Sequence, residues 1–148
     1  MALTQAHAEN LRHGRFSQSG QVYLLTLVTS GRARVFEQFV PAHQAARCFA
    51  ERSVRRYGST LAFVVMPDHV HWLLELASEV SVSDAVRIYR AKVSLALRRR
   101  IWQKGFHDRA LRRDEDLVAV ARYVVSNPVR AGLVERSGDY PHWDAVWI

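Results

Sequence analysis

The stretch "FVVMPDHVHWLLEL", Phe63 to Leu76, holds an apolar run, a Pro67-Asp68 turn signal and a second apolar run. Two short runs rich in Val and Leu on either side of a turn read as paired strands, from about Leu61 to Met66 and Val70 to Leu76. Two imidazoles, His69 and His71, open the second run. Side chains at i and i+2 of a strand share a face, so both rings look one way while Val70 looks the other. A matched pair of neutral nitrogen donors on a rigid strand suits a metal site, and it equally suits two satisfied core histidines.

Outward from this hairpin, "GQVYLLTLVTSGRA" predicts a strand from about Val22 to Thr29. From Pro41 the positions Ala42, Ala45, Ala46, Phe49, Ala50, Val54 and Tyr57 keep helical spacing, with Pro41 near the start and Gly58 as the stop. Ser83 is placed to cap a second helix with the stripe Val86, Tyr89, Val93, Ala96 and Leu97. Gly105 to Arg112 reads as a fourth strand, and a helix starts near Asp114 and ends at Asn127-Pro128. The order β-α-β-β-α-β-α predicts an α+β, ferredoxin-like split β-α-β sheet, antiparallel, with helices on one face and a further C-terminal helix. No repeat or linker divides the chain, so residues 1–148 are expected to form one domain, with 128–148 as a tail.

The 148 residues suffice for one buried core, and 49% hydrophobic with 24% charged residues exclude a disordered chain. No apolar run is long enough to span a bilayer. The N-terminus lacks the apolar segment of a secretory signal, and Cys48 is alone. A soluble, cytoplasmic protein is expected. The formal charge of +7 is unevenly placed: ten of the 21 basic residues, against one acid, Asp108, lie between Ala85 and Arg113. Such a concentration suits either a solvated helix face or contact with a polyanion, nucleic acid above all.

The last helix supplies candidate partners for the histidines. Tyr123 and Asn127 are four apart and share a face beside the stripe Leu117, Ala121 and Val124. They could look along the sheet towards His69 and His71, or serve only as an edge tyrosine and a helix stop.

"MPDHVHWLLEL", "WQKGFHDRALRRDEDL" and "ARYVVSNPVRAGLVERSGDYPHWDAVW" in this order resemble the REP-associated tyrosine transposases, members of the single-tyrosine HUH superfamily of DNA-cleaving enzymes. The resemblance runs from Leu11 to the C-terminus. It implies that His69 and His71 hold a divalent metal, Mg²⁺ or Mn²⁺, with Mn²⁺ favoured by imidazole donors. It implies that Tyr123 is the nucleophile, forming a 5′-phosphotyrosine link, and Asn127 the third metal ligand. Classical single-tyrosine relatives usually carry Gln at the latter position, and the family more often has Asn where Asp68 stands.

The implied partner is single-stranded DNA folded as REP palindromic hairpins, acted on by a monomer or homodimer with no membrane role. Arg98, Arg99, Arg100 and Lys104 are expected on phosphates. Arg12, His13, Arg15 and Phe16, in an N-terminal arm of residues 1–20, are expected to help read guide bases. Phe16 or Trp102 is a candidate to stack an unpaired base, and His107 to contact DNA or support the site. Packing is the competing role for Trp102, Trp143 and Trp147. Two rival functions stay open: a non-catalytic hairpin-binding module, and a hydrolytic metalloenzyme with zinc on His69, His71 and His107.

Overall fold

The Pro67-Asp68 turn joins β2, Gly58–Met66, to β3, His69–Leu76, with Met66 opposite His69 and Val64 opposite His71. The computed structural model describes residues 20–147. Around the hairpin lie β1, Val22–Val28; α1, Phe39–Cys48; α2, Arg52–Arg55; α3, Val82–Leu97; β4, His107–Ala110; α4, Leu117–Val125; α5, Asn127–Arg130; and β5, Trp143–Ala145. The sheet order is β4-β1-β3-β2-β5, with each neighbouring pair antiparallel. The first four strands have the ferredoxin-like order expected from the sequence.

Strand alternation decides what each face buries. Val70, Trp72, Leu74 and Leu76 of β3 face α1 and α3, joining Ala42, Ala45, Val86, Tyr89 and Val93 in the main core. Tyr89 is wholly buried and its hydroxyl donates to the Ala45 carbonyl at 2.9 Å, so the phenol brings no unpaired polar atom into that core. The opposite face presents His69, His71 and Leu73, and here a second cluster joins Val64, Met66 and Leu73 to Ala121, Val124 and Val125 of α4. The C-terminal helix is therefore packed on the sheet face that carries the histidines.

Several boundaries differ from the sequence reading. The expected helix from Pro41 to Tyr57 is two pieces, because the chain breaks at Phe49 to Glu51 before α2 begins. Ser81, not Ser83, caps α3, its Oγ accepting from Asp84 N at 3.0 Å. The last long helix starts at Leu117, where the Asp116 side chain accepts from Ala119 N, and it closes at Val125. Asn127 opens a new helical turn, α5, rather than ending the chain's helical path. The expected tail contains β5, which extends the sheet beyond β2.

Gly58 is not a helix stop but the first residue of β2. Its φ of +151° and the 2.1 Å that would separate a Cβ from the Glu75 carbonyl oxygen leave room only for glycine. Gly58→Ala is expected to destabilise the fold by roughly 3 kcal/mol, read as a lowered midpoint in urea unfolding with an unchanged slope.

Candidate active site

His69 and His71 project from one end of β3, their ring centroids 4.8 Å apart with the planes at 80°. Each Nδ1 is engaged. His69 Nδ1 lies 2.7 Å from Asp68 Oδ1, and His71 Nδ1 lies 3.1 Å from Thr26 Oγ1. A proton on each Nδ1 would leave the Nε2 lone pair for a cation. Thr26 is directly opposite His71 on β1, so the sheet register itself fixes that contact.

Asp68 lies in the turn between β2 and β3. Burial pushes its carboxyl up, but the hydrogen bond and charge of His69, with those of Arg32 at 3.2 Å, outweigh burial and hold it below its ordinary value. Both carboxylate oxygens are thus committed, one orienting His69 and the other neutralised by Arg32. Burial, then the charges of His69 and Arg130, lower the His71 pKa to about 4. His71 is a neutral imidazole throughout the physiological range.

Tyr123 is exposed at the end of α4, with 58% of its surface accessible, although its helix neighbours Ala121, Val124 and Val125 are buried. The Arg130 guanidinium lies 3.9 Å from its ring centroid and donates through Nη1 to the Tyr123 carbonyl at 2.9 Å. Asn127 Nδ2 donates to the Val124 carbonyl at 2.9 Å, which leaves its Oδ1 as the atom able to meet a cation. Two imidazole nitrogens and one amide oxygen could hold a cation, and such donors suit Mn²⁺ better than Mg²⁺.

His107 shares this face but stands in register with Thr26, itself in register with His71. Two strand spacings put its backbone on the order of 10 Å from that of His71. Among the described residues no group of three His, Cys, Asp or Glu is placed to hold a metal ion. The three-histidine zinc centre is therefore not formed. His107 is exposed on β4, a position open to a nucleic acid lying across the sheet.

Arg98, Arg99, Arg100 and Lys104 are all exposed. The segment between them is tied to the histidine end of the sheet: Ser30 N donates to the Ile101 carbonyl at 2.8 Å, and Gln103 N to the Val28 carbonyl at 2.9 Å. Val28 in turn faces His69. Trp102 is partly buried against the main core, near Phe36 and Tyr89, with Nε1 donating to the Arg90 carbonyl at 3.2 Å. That accounts for its indole by packing, on the side of the sheet away from His71. Trp143 is likewise half-buried, donating to the Ser137 carbonyl at 2.8 Å, whereas Trp147 stays exposed. Arg12, His13, Arg15 and Phe16 lie outside the described residues.

Three contributors were not singled out in the sequence: Thr26, Arg32 and Arg130. Thr26 is 45 residues from His71 and is found only through the β1–β3 register. Arg130 carried a local signal, since i and i+7 along helical turns share a face with Tyr123.

The sequence matches the profile of a family described as "Transposase IS200 like" over residues 17–126. The chain belongs to this family. It is 26% identical over 142 residues to a Haemophilus influenzae protein provisionally named a REP-associated tyrosine transposase, covering 83% of this chain and 78% of that one. It is 30% identical over 82 residues to the Escherichia coli REP-associated tyrosine transposase, covering 54% of this chain and 50% of the relative. Among solved structures, a REP-associated tyrosine transposase bound to a REP hairpin matches with a TM-score of 0.67 and 25% identity, over 87% of this chain and 79% of that one. A Deinococcus radiodurans protein provisionally named a transposase shares the fold, with a TM-score of 0.50 and 20% identity. Family membership makes this transposase a DNA-cleaving enzyme in general terms. No described helix is long and apolar enough to cross a membrane.

Proposed function

We propose that this transposase is a metal-dependent single-strand DNA endonuclease and strand transferase, acting on REP-type palindromic hairpins with Tyr123 as nucleophile. The observation that carries this reading is that α4, which bears Tyr123, packs on the very sheet face from which His69 and His71 project. Because α4 packs on its own chain's sheet, a site assembled within a single chain is the simpler arrangement. The relative bound to a REP hairpin supports the substrate class.

Three residues would hold the divalent ion: His69 and His71 through Nε2, and Asn127 through Oδ1. When bound there, the ion supplies Lewis-acid polarisation of the phosphate, little diminished by its uncharged ligands. Asp68 and Thr26 orient the two rings, and burial keeps His71 unprotonated. Tyr123 Oη forms a bond to phosphorus as the P–O3′ bond breaks. The phenolic proton passes to solvent, and the departing O3′ takes up a proton to leave a 3′-OH. One phosphoester replaces another, so reversed attack by a 3′-OH rejoins strands without ATP.

Phosphates along the hairpin are assigned to Arg98, Arg99, Arg100 and Lys104, and His107 to a strand crossing the sheet face. Guide-base reading is assigned, on the family resemblance, to Arg12, His13, Arg15 and Phe16. Replacing Arg98, Arg99 and Arg100 together by Gln is expected to lower the slope of log affinity against log salt by roughly 2 to 3, since each lost contact removes ~0.7 for single strands or ~0.9 for duplex. Fluorescence anisotropy with a labelled hairpin across a salt series reads this. An unchanged slope would remove these arginines from the interface.

The function itself is tested by incubating the protein with a labelled single-stranded hairpin and Mn²⁺, then denaturing. A DNA label that migrates with the protein is the expected result. Binding without cutting would instead indicate a hairpin-binding module.

A further inference from the structure

Arg130 is a cation held against Tyr123 at the proposed site. Its guanidinium stacks 3.9 Å from the Tyr123 ring centroid, and Nη1 donates to the Tyr123 carbonyl and to Ser126 Oγ. Among the described residues no carboxylate is paired with it.

We propose that Arg130 binds the scissile phosphate, its unspent Nε–Nη2 edge meeting two non-bridging oxygens while its face holds the Tyr123 ring in line for attack. This rests on the reading of Tyr123 as nucleophile. An arginine fork is planar and carries five donors. Two on Nη1 are consumed by the helix end, and the remaining edge has the spacing that matches a phosphate's oxygens. Leaving such a group without a carboxylate against the phenol, at the end of a helix packed on the histidine face of the sheet, makes sense when an anion is to arrive. The competing role is purely structural, a basic side chain covering the terminal carbonyls of α4. That role needs neither the stack on Tyr123 nor the free edge.

The two roles separate by experiment on the full chain. Under single-turnover conditions with hairpin and Mn²⁺, Arg130→Gln is expected to slow adduct formation about 100-fold, the scale for removing one donor to a developing oxyanion. Hairpin affinity should stay within about threefold, because many other phosphates still bind cationic groups. Added guanidinium ion should recover a good part of the lost rate, and Arg130→Lys should recover less than the native arginine. A rate unchanged in Arg130→Gln, or a loss that guanidinium does not repair, would overturn the assignment in favour of the structural role.

A second readout needs no cutting. With ring-labelled tyrosine, and Tyr123→Phe identifying the signal, hairpin added in EDTA should shift the Tyr123 ring carbons in the native protein but not in Arg130→Gln. No shift in the native protein would overturn the phosphate contact even if adducts form. A shift without any adduct would retain the contact and overturn the nucleophile reading instead.

Discussion

Tyr123→Phe is expected to abolish the covalent protein–DNA product, lowering its rate by more than about 10⁴-fold, while leaving hairpin binding and folding intact. Removal of the attacking oxygen leaves nothing at that position able to form the bond to phosphorus, and losses of this size follow deletion of a nucleophile. The substitution is otherwise mild. Tyr123 is 58% exposed, its hydroxyl supports no packing in the second cluster, and a phenyl ring still stacks under Arg130. Stability should change by no more than about 0.5 kcal/mol. Denaturing gels of the labelled hairpin and a urea melt measure both quantities. Cutting that survives in the variant would point to water as the attacking group.

His71→Ala is expected to lower cutting on the order of 10³-fold, since Lewis-acid assistance is worth several kcal/mol, yet hairpin affinity should stay within about threefold. On the proposed function the ring serves the reacting phosphate, whereas binding is spread over many cations. Equal losses of cutting and binding would make the histidine structural or DNA-reading. Its titration adds a second signature. The unfolded chain takes up a proton on this ring near the ordinary value of 6.5, while the folded protein resists until about 4. The unfolded state therefore binds more protons in that window, and the fold loses stability as pH falls from about 6.5 to 4. In His71→Ala this part of the acid-side decline in melting temperature should disappear.

Much of this was legible in the residues because the decisive signals are local. The Phe63 to Leu76 hairpin, the helical stripes and the four-residue spacing of Tyr123 and Asn127 need no distant partner to be seen. What escaped depends on distant pairing or on competition between equivalent signals. The three-residue β5 forms because Trp143 to Ala145 meet the open edge of β2, some eighty residues earlier in sequence. Ser81 and Ser83 are equally good caps, and only the reach of Ser81 Oγ to Asp84 N decides between them. The apolar spacing runs on through Phe49 and Ala50 although the helix breaks there, since those positions stay useful to packing: Phe49 stacks between Phe63 and Tyr89.

The site was half legible for the same reason. His69 and His71 announce themselves by alternation, but the groups that orient them, Thr26, Asp68 and Arg32, are gathered from three segments. Asp68 was visible, yet its effect was not, because only Arg32 reveals that its charge is already neutralised. Gly58 misled for a physical reason: a positive φ suits a helix terminus and a crowded strand start alike, and the Glu75 carbonyl decides for the latter.

The most direct measurement is to trap the adduct on a hairpin with Mn²⁺, digest it with trypsin and nuclease, and sequence the nucleotide-bearing peptide by tandem mass spectrometry. The expected peptide is YVVSNPVR, Tyr123 to Arg130, with a 5′-nucleotide phosphate on the tyrosine. A nucleotide found on any other residue, or none while DNA is cut, would contradict the assignment of Tyr123 as the group that attacks phosphorus.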